Sequence, residues 1–314
     1  MQPPILEAGS TDLDSWLIEH AGRLETLLAD AGAVIVRGLD LTDLVQFRLL
    51  AQRICSPLMS SNKEHRAVDG ADDVQTPVEF PATEKLLWHT ENSFNLEWPT
   101  RLAFGCQTRA ERGGDTPTVD GRAVLAGMSP ELRDRFTAHG ITYLRRLGLD
   151  VGLDWRQLYL TEDRRQVEEL CRASDTEFEW SADGEMLTTW QTRPAVVRHP
   201  GTGEPVWVGQ PLHWHPAALT GTLRHDLAEL YGEQNLPRTC VLGNGDPIPD
   251  AFIEDLIALC AQHEDTVPWQ TGDVMVVDNL LRAHARNPYQ GERTLLVAVG
   301  APIDCRLLAP CVVA

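Results

Sequence analysis

The chain has 314 residues, 43% of them hydrophobic, which is enough for one large core or two small ones. Its formal net charge of −19 argues against nucleic acid or an anionic membrane as a partner, because both would be repelled, and no apolar run approaches the length of a bilayer span. Seven cysteines, odd in number and without a CxxC pair, read as reduced packing residues, and the N-terminal stretch has neither the basic start nor the apolar centre of a signal peptide, so the expected location is cytoplasmic and bacterial.

The first predicted element is a helix in "STDLDSWLIEHAGRLETLLADAG". Ser10 or Thr11 can cap it, Leu13, Trp16, Leu17, Leu24, Leu27 and Leu28 form one stripe, and Gly32 stops it. "AVIVRG" follows as a short buried strand and "LTDLVQFRLLAQRIC" as a second amphipathic helix. Residues 61–83 are polar and aperiodic and predict a mobile loop. From Arg101 the texture is β: "RLAFGCQT", the turn "ERGGDTP", then "TVDGRAVL". "SPELRDRFTAHG" predicts a helix capped by Ser129. Residues 150–185 are acidic and mixed. "AVVRHP-GTGEP-VWVG" reads as a hairpin, "PDAFIEDLIALCAQHED" as a helix, and "TGDVMVVDN" and "RTLLVAVG" as strands. No repeat or Pro-rich linker divides the chain. The expectation is a single domain over 1–314, mainly β with flanking helices and a mid-chain insertion at about 145–190.

The chemistry centres on "EKLLWHTENSFNLEWP". His89-Thr90-Glu91 places an imidazole and a carboxylate two residues apart, and on an extended segment both fall on one face. Ten histidines and 46 acidic residues yield about one or two such triplets by composition alone, so the triplet needs a third partner. "GDVMVVDNLLRAHARNPYQGERTLLVAVG" supplies His284 after a buried strand and Arg293 at the mouth of the next. Two histidines and a carboxylate on one face suit ferrous iron and leave positions open. Zinc hydrolases use similar sets, but their usual His-Glu-x-x-His pattern is absent from the sequence. Arg293 offers a planar guanidinium suited to a carboxylate, and "GGDTP" offers a tight turn with the Thr116 hydroxyl at its end. His213-Trp214-His215 also sets two imidazoles on one face, but lacks a downstream Glu-and-His pattern and reads as pocket lining or structure. His263, at the end of a helix, reads as structural.

These residues carry a resemblance. The stretches "WHTEN", "WPTRLAFGCQTRAERGGDTPTVDGR", "RQVEELC", "RPAVVRHPGTGEPVW", "WQTGDVMVVDNLLRAHARNPYQGER" and "LLVAVG" occur in family order over almost the whole chain. The chain resembles the TauD/TfdA superfamily of Fe(II)/2-oxoglutarate-dependent dioxygenases, and more narrowly its SyrP-like branch. The resemblance implies a double-stranded β-helix, a cupin-like jelly roll, with iron in its mouth. It implies His89, Glu91 and His284 as iron ligands, Thr116 and Arg293 as contacts to 2-oxoglutarate, and molecular oxygen as co-reactant. Many relatives have Asp where Glu91 stands, and some carry a second arginine where this chain has Val297.

The expected reaction is oxidation of a C–H bond, with hydroxylation first, on an amino acid or an amino-acid-derived small molecule of natural-product biosynthesis. The alternatives are the same chemistry on a unit tethered to a carrier protein, or desaturation, epoxidation or cyclisation. A non-catalytic jelly-roll binding protein is the rival of a different class. Trp88, Asn92, Trp190 and Arg193 flank the site segments, and Arg282 and Arg286 flank His284. These are the candidate substrate contacts, with the arginines suited to a substrate carboxylate.

Overall fold

The computed structural model describes residues 2–9, 12–39, 41–60, 67–149, 151–309 and 311. A seven-stranded sheet forms its backbone, in the order Ile5–Glu7, Ala33–Arg37, Val274–Asp278, Glu97–Thr108, Thr294–Asp304, Ala71–Gln75, Ala67–Val68. A four-stranded sheet faces it, in the order Glu264–Asp265, Thr118–Asp120, Arg282–Arg286, Leu86–His89. The two meet where Phe104 of the large sheet lies 5.0 Å from the His284 ring of the small one. This is the expected jelly roll, a double-stranded β-helix.

The apolar run "VMVVD" is continuous because both faces of its strand are covered. Val274 and Val276 pack outward with Val34, Val36 and Ala103 against Trp16, Leu24, Leu28, Phe47 and Leu50 of the two N-terminal helices. Met275 and Val277 point inward with Ile35, Leu102 and Phe104. The first helix, Leu13–Ala31, is capped by Asp12, whose carboxylate accepts from the Ser15 N–H at 3.0 Å. The expected caps Ser10 and Thr11 lie outside the described residues. Gly32 ends the helix at φ 70°, and a Cβ there would sit 2.8 Å from Cγ of Arg282.

Three local expectations are corrected. The polar stretch before His89 is not a loop throughout. Ala67–Val68 and Ala71–Gln75 pair at the edge of the large sheet, because Ala71 and Val74 are buried there and Gly70 turns at φ 85°. Residues 61–66 lie outside the described residues. "TVDGRAVL" is strand only to Asp120, whose carboxylate accepts from the Arg122 N–H and starts the helix Gly121–Gly127. Ser129 makes no side-chain cap bond, and Pro130 opens the helix Pro130–His139 instead.

The mid-chain segment builds helices Trp155–Tyr159 and Arg164–Ala173 and, joined by Arg238–Leu242 from later in the chain, a further sheet, ordered Glu177–Trp180, Leu187–Arg193, Ile141–Leu147, Arg238–Leu242. All seven cysteines are buried and free, and burial pushes the Cys55 thiol up to about 12. Among the described residues no helix is long and apolar enough to cross a membrane.

Candidate metal and cosubstrate site

Strand register makes the site. His284 on Arg282–Arg286 pairs directly with His89 at the end of Leu86–His89, and their ring centroids are 4.2 Å apart. Glu91 lies just past the strand end and turns its carboxylate back: Oε2 is 3.7 Å from His89 Nε2 and 3.8 Å from His284 Nε2. All three side chains are buried, and their ligand atoms lie within 4.8 Å of one another, close enough to share one ion. His89 Nδ1–H donates to the Leu87 carbonyl at 3.0 Å. That bond fixes the tautomer and leaves the Nε2 lone pair facing Glu91. Two imidazoles and a carboxylate form a donor set that fits ferrous iron.

Glu91 is held by a residue that carried no role in the sequence reading. Asn279 is fully buried, its Oδ1 accepts from the Glu91 N–H at 2.8 Å, and its Nδ2 donates to the carbonyls of Glu91 at 3.0 Å and Pro99 at 2.7 Å. A buried amide directly after an apolar strand must find partners, which is the signal that marked it in "VVDN". Asn279→Ala is expected to weaken metal affinity about 10–100-fold, the usual consequence of losing a group that orients a ligand. Cobalt(II) titration checks this, and unchanged affinity would separate Glu91 from its clamp.

His213 stands 4.2 Å from the His89 ring, but its Nε2 bonds the Leu87 carbonyl at 2.8 Å, and burial pushes it down to about 3, with the charge of His89 the second cause. His215 donates through Nε2 to the Ile248 carbonyl and accepts from Ala217 N–H. Both imidazoles therefore serve the fold at these atoms. His263 terminates the helix Asp250–Gln262.

Arg293 sits where the turn Gly113-Gly114 approaches the last strand. Its Nε donates to the Gly114 carbonyl at 2.7 Å, and a Cβ on Gly114, whose φ is 75°, would lie 3.0 Å from the arginine Cδ. Glycine is thus needed there for both conformation and space. Burial pushes the Arg293 guanidinium down to about 10, with the charge of Arg286 the next cause. This is the state of a cation with too little anion beside it, and a dicarboxylate would complete it. Thr116, two residues past Gly114, is buried and its Oγ1 accepts from the Trp269 indole N–H at 3.2 Å. Burial also pushes the Asp115 carboxyl between them upward.

The expected substrate contacts fare differently. Arg282 is wholly buried and donates to the Ala31 carbonyl, the Thr118 hydroxyl and Asp265. Arg286 donates to the carbonyls of Phe80, Pro81 and Glu84. Arg193 donates to the carbonyls of Asn95, Thr192, Ser174 and Asp175. These bonds tie Arg286 and Arg193 to backbone carbonyls, and Arg282 to a carbonyl, a hydroxyl and a carboxylate, and give each guanidinium a structural duty at these atoms. Asn92 adopts φ 56° in the turn after Glu91, and its Oδ1 accepts from Asn95. Trp88 alternates with His89 and packs into the core. Trp190 alternates with Thr189 and Gln191, which line a cavity, and so lies on the other face of their strand.

Comparison with known proteins agrees with this architecture. Residues 2–299 match the family described as "Taurine catabolism dioxygenase TauD, TfdA family". The chain is 32% identical over 302 residues to the dapdiamide synthesis protein DdaC of Enterobacter agglomerans, covering 95% of this chain and 91% of that protein. A taurine dioxygenase structure from Burkholderia xenovorans superposes with a TM-score of 0.56 at 17% identity, covering 97% of this chain and 89% of that one. PvcB, an Fe, alpha-ketoglutarate dependent oxygenase from an isonitrile synthetic pathway, superposes with a TM-score of 0.51 at 15% identity, covering 95% and 86%. With family match, jelly-roll fold and buried His-Glu-His group in agreement, the chain belongs to the TauD/TfdA family and is an Fe(II)/2-oxoglutarate-dependent oxygenase.

Proposed function

We propose that His89, Glu91 and His284 hold the iron, that Arg293 and Thr116 hold the distal carboxylate of 2-oxoglutarate, and that the enzyme oxidises a C–H bond of an amino acid or amino-acid derivative in natural-product biosynthesis. The observation that carries the reading is the buried group of three ligand atoms within 4.8 Å, on strands paired at His89 and His284. The biosynthetic setting is supported by the likeness to a dapdiamide synthesis protein. Hydroxylation is the expected outcome. Iron bound at this group would supply the oxidising chemistry, with oxygen and 2-oxoglutarate consumed and succinate and carbon dioxide released.

The protein's share is orientation. The Leu87 carbonyl fixes His89, Asn279 fixes the Glu91 backbone, and the Gly114 carbonyl steers Arg293 so that its terminal nitrogens can meet a carboxylate edge-on. Phe104 and the inward face of the large sheet keep the floor of the site dry. The test is oxygen uptake coupled one to one with succinate release, dependent on Fe(II), 2-oxoglutarate and an amino-acid substrate. Turnover that proceeds without oxygen or 2-oxoglutarate would defeat the reading.

Glu91 has a further consequence. With iron held by this group, its carboxylate would fill the place that a halide would need. Product formed in chloride buffer is therefore expected to gain oxygen and no chlorine, read by mass spectrometry. A chlorinated product would remove Glu91 from the ligand set.

A further inference from the structure

Trp269 stands shortly before the strand Val274–Asp278 and is buried on the inner face of the large sheet with Phe104, Leu295 and Val297. Phe104 is the residue whose ring meets His284, so this indole belongs to the wall behind the ligand group. It is gripped at two points by the segment that leads into the small sheet. Its backbone N–H donates to Asp115 Oδ1 at 3.3 Å, and its indole N–H donates to Thr116 Oγ1 at 3.2 Å. Two consecutive residues thus hold both the backbone and the ring of one tryptophan.

The segment that carries them has little freedom. The Gly114 N–H donates to the Pro288 carbonyl at 3.1 Å, the Asn287 N–H to the Asp115 carbonyl at 3.1 Å and the Ala285 N–H to the Pro117 carbonyl at 2.8 Å. Thr116 is therefore laced to the stretch directly after His284, and Thr118, two residues on, is the strand partner of His284. The Gly114 carbonyl in turn receives Arg293. One short segment touches both the strand of the ligand group and the cosubstrate arginine.

An indole N–H only donates, so the direction of its bond to Thr116 is fixed. A threonine hydroxyl has one direction for its proton and two for lone pairs. The indole takes one lone pair, which pins Oγ1 and narrows the hydroxyl rotor. Among the described residues no group accepts the Thr116 proton. An oxygen that already accepts also donates more strongly, because each bond in a chain polarises the next.

We infer that Trp269 is a positioning residue of the cosubstrate site: its indole N–H fixes and strengthens the Thr116 hydroxyl as the neutral donor to the distal carboxylate of 2-oxoglutarate. Arg293 gives that carboxylate its charge partner, and the threonine proton gives it a second, fixed direction. The inference rests on the reading of Thr116 and Arg293 given above.

The visible band that Fe(II) and 2-oxoglutarate form together without oxygen tests it. Four forms of the full chain are titrated with 2-oxoglutarate at fixed Fe(II): wild type, Thr116→Val, Trp269→Phe and the double variant. Each single change is expected to raise the midpoint about two- to tenfold. The double variant should cost no more than Thr116→Val alone, since the indole acts only through the hydroxyl. Thr116→Ser keeps a hydroxyl, so in that background Trp269→Phe should again cost its factor. Costs that add in the double variant, or an unchanged midpoint in Trp269→Phe, would overturn the role. So would a Trp269→Phe protein that loses only thermal stability, because a tryptophan that merely packs has no coupling to residue 116. Should Trp269→Phe fail to fold, benzothienylalanine at position 269 replaces it in the same comparison, keeping both fused rings and setting sulfur in place of the N–H. The outcomes separate the two readings. No band in the wild type, or a midpoint indifferent to Thr116→Val, sinks the cosubstrate assignment and the inference with it, whereas a normal band with additive costs sinks the role of Trp269 alone.

Discussion

His284→Ala abolishes iron binding and with it the weak visible charge-transfer band that Fe(II) and 2-oxoglutarate give under anaerobic conditions; this is the expected result, and His89→Ala gives the same. Each imidazole is one of three proposed ligands, and the two remaining groups hold iron poorly. The loss should exceed the roughly 10–100-fold change that follows from removing a group behind a ligand. His213→Ala is the control. Its ring touches His89, yet its Nε2 is bonded to the Leu87 carbonyl, so the band should survive. A normal band in His284→Ala, or its loss in His213→Ala alone, would reassign the ligands.

Arg293→Ala is expected to keep the iron site and lose the cosubstrate. Its guanidinium is buried enough for its proton affinity to fall, and a carboxylate paired with it is shielded from water. Deleting one partner of such a pair costs about 2–5 kcal/mol, or about thirtyfold and more in the 2-oxoglutarate concentration required. Thr116→Ala removes one neutral donor and should cost about 0.5–1.5 kcal/mol. Titrating the visible band with 2-oxoglutarate at fixed Fe(II) measures both. An unchanged midpoint in Arg293→Ala would place the clamp elsewhere. Arg293 remains charged at neutral pH, since its ionisation is pushed down only to about 10. A bound carboxylate would favour the charged form further, so no loss of cosubstrate affinity between about pH 6 and 9 is expected from Arg293 itself.

Period and burial made much of the fold legible. "VMVVD" announced a strand covered on both sides, and the stripe from Leu13 to Leu28 announced a helix lying on that sheet. Pairing was not legible, because nothing local in "RAHAR" says that His284 will face His89 and not a residue two places away. The order of motifs carried that information instead. Arginines were the weakest part of the reading. A guanidinium that bonds protein groups and one that faces a ligand look alike in sequence, so Arg193, Arg282 and Arg286 drew attention as substrate contacts by their position alone. Short strands such as Ala67–Val68 escaped because two residues carry no period and their stability comes from the sheet edge they join.

The strand order has a consequence for how the molecule comes into being. Val274–Asp278 and Thr294–Asp304 flank Glu97–Thr108 at the centre of the large sheet, and Arg282–Arg286 lies between Thr118–Asp120 and Leu86–His89 in the small one. A nascent polypeptide that has emerged only to residue 270 therefore has Glu97–Thr108 without its two neighbours, and His89 and Glu91 without His284. Closing such distant pairs is slow, since loop entropy must be spent before the contacts repay it. Until the segment from 274 to 304 is delivered, the interval is one in which exposed strand edges call for a chaperone. Iron loading is expected to be among the last events in maturation, after the ribosome has released the segment that carries His284.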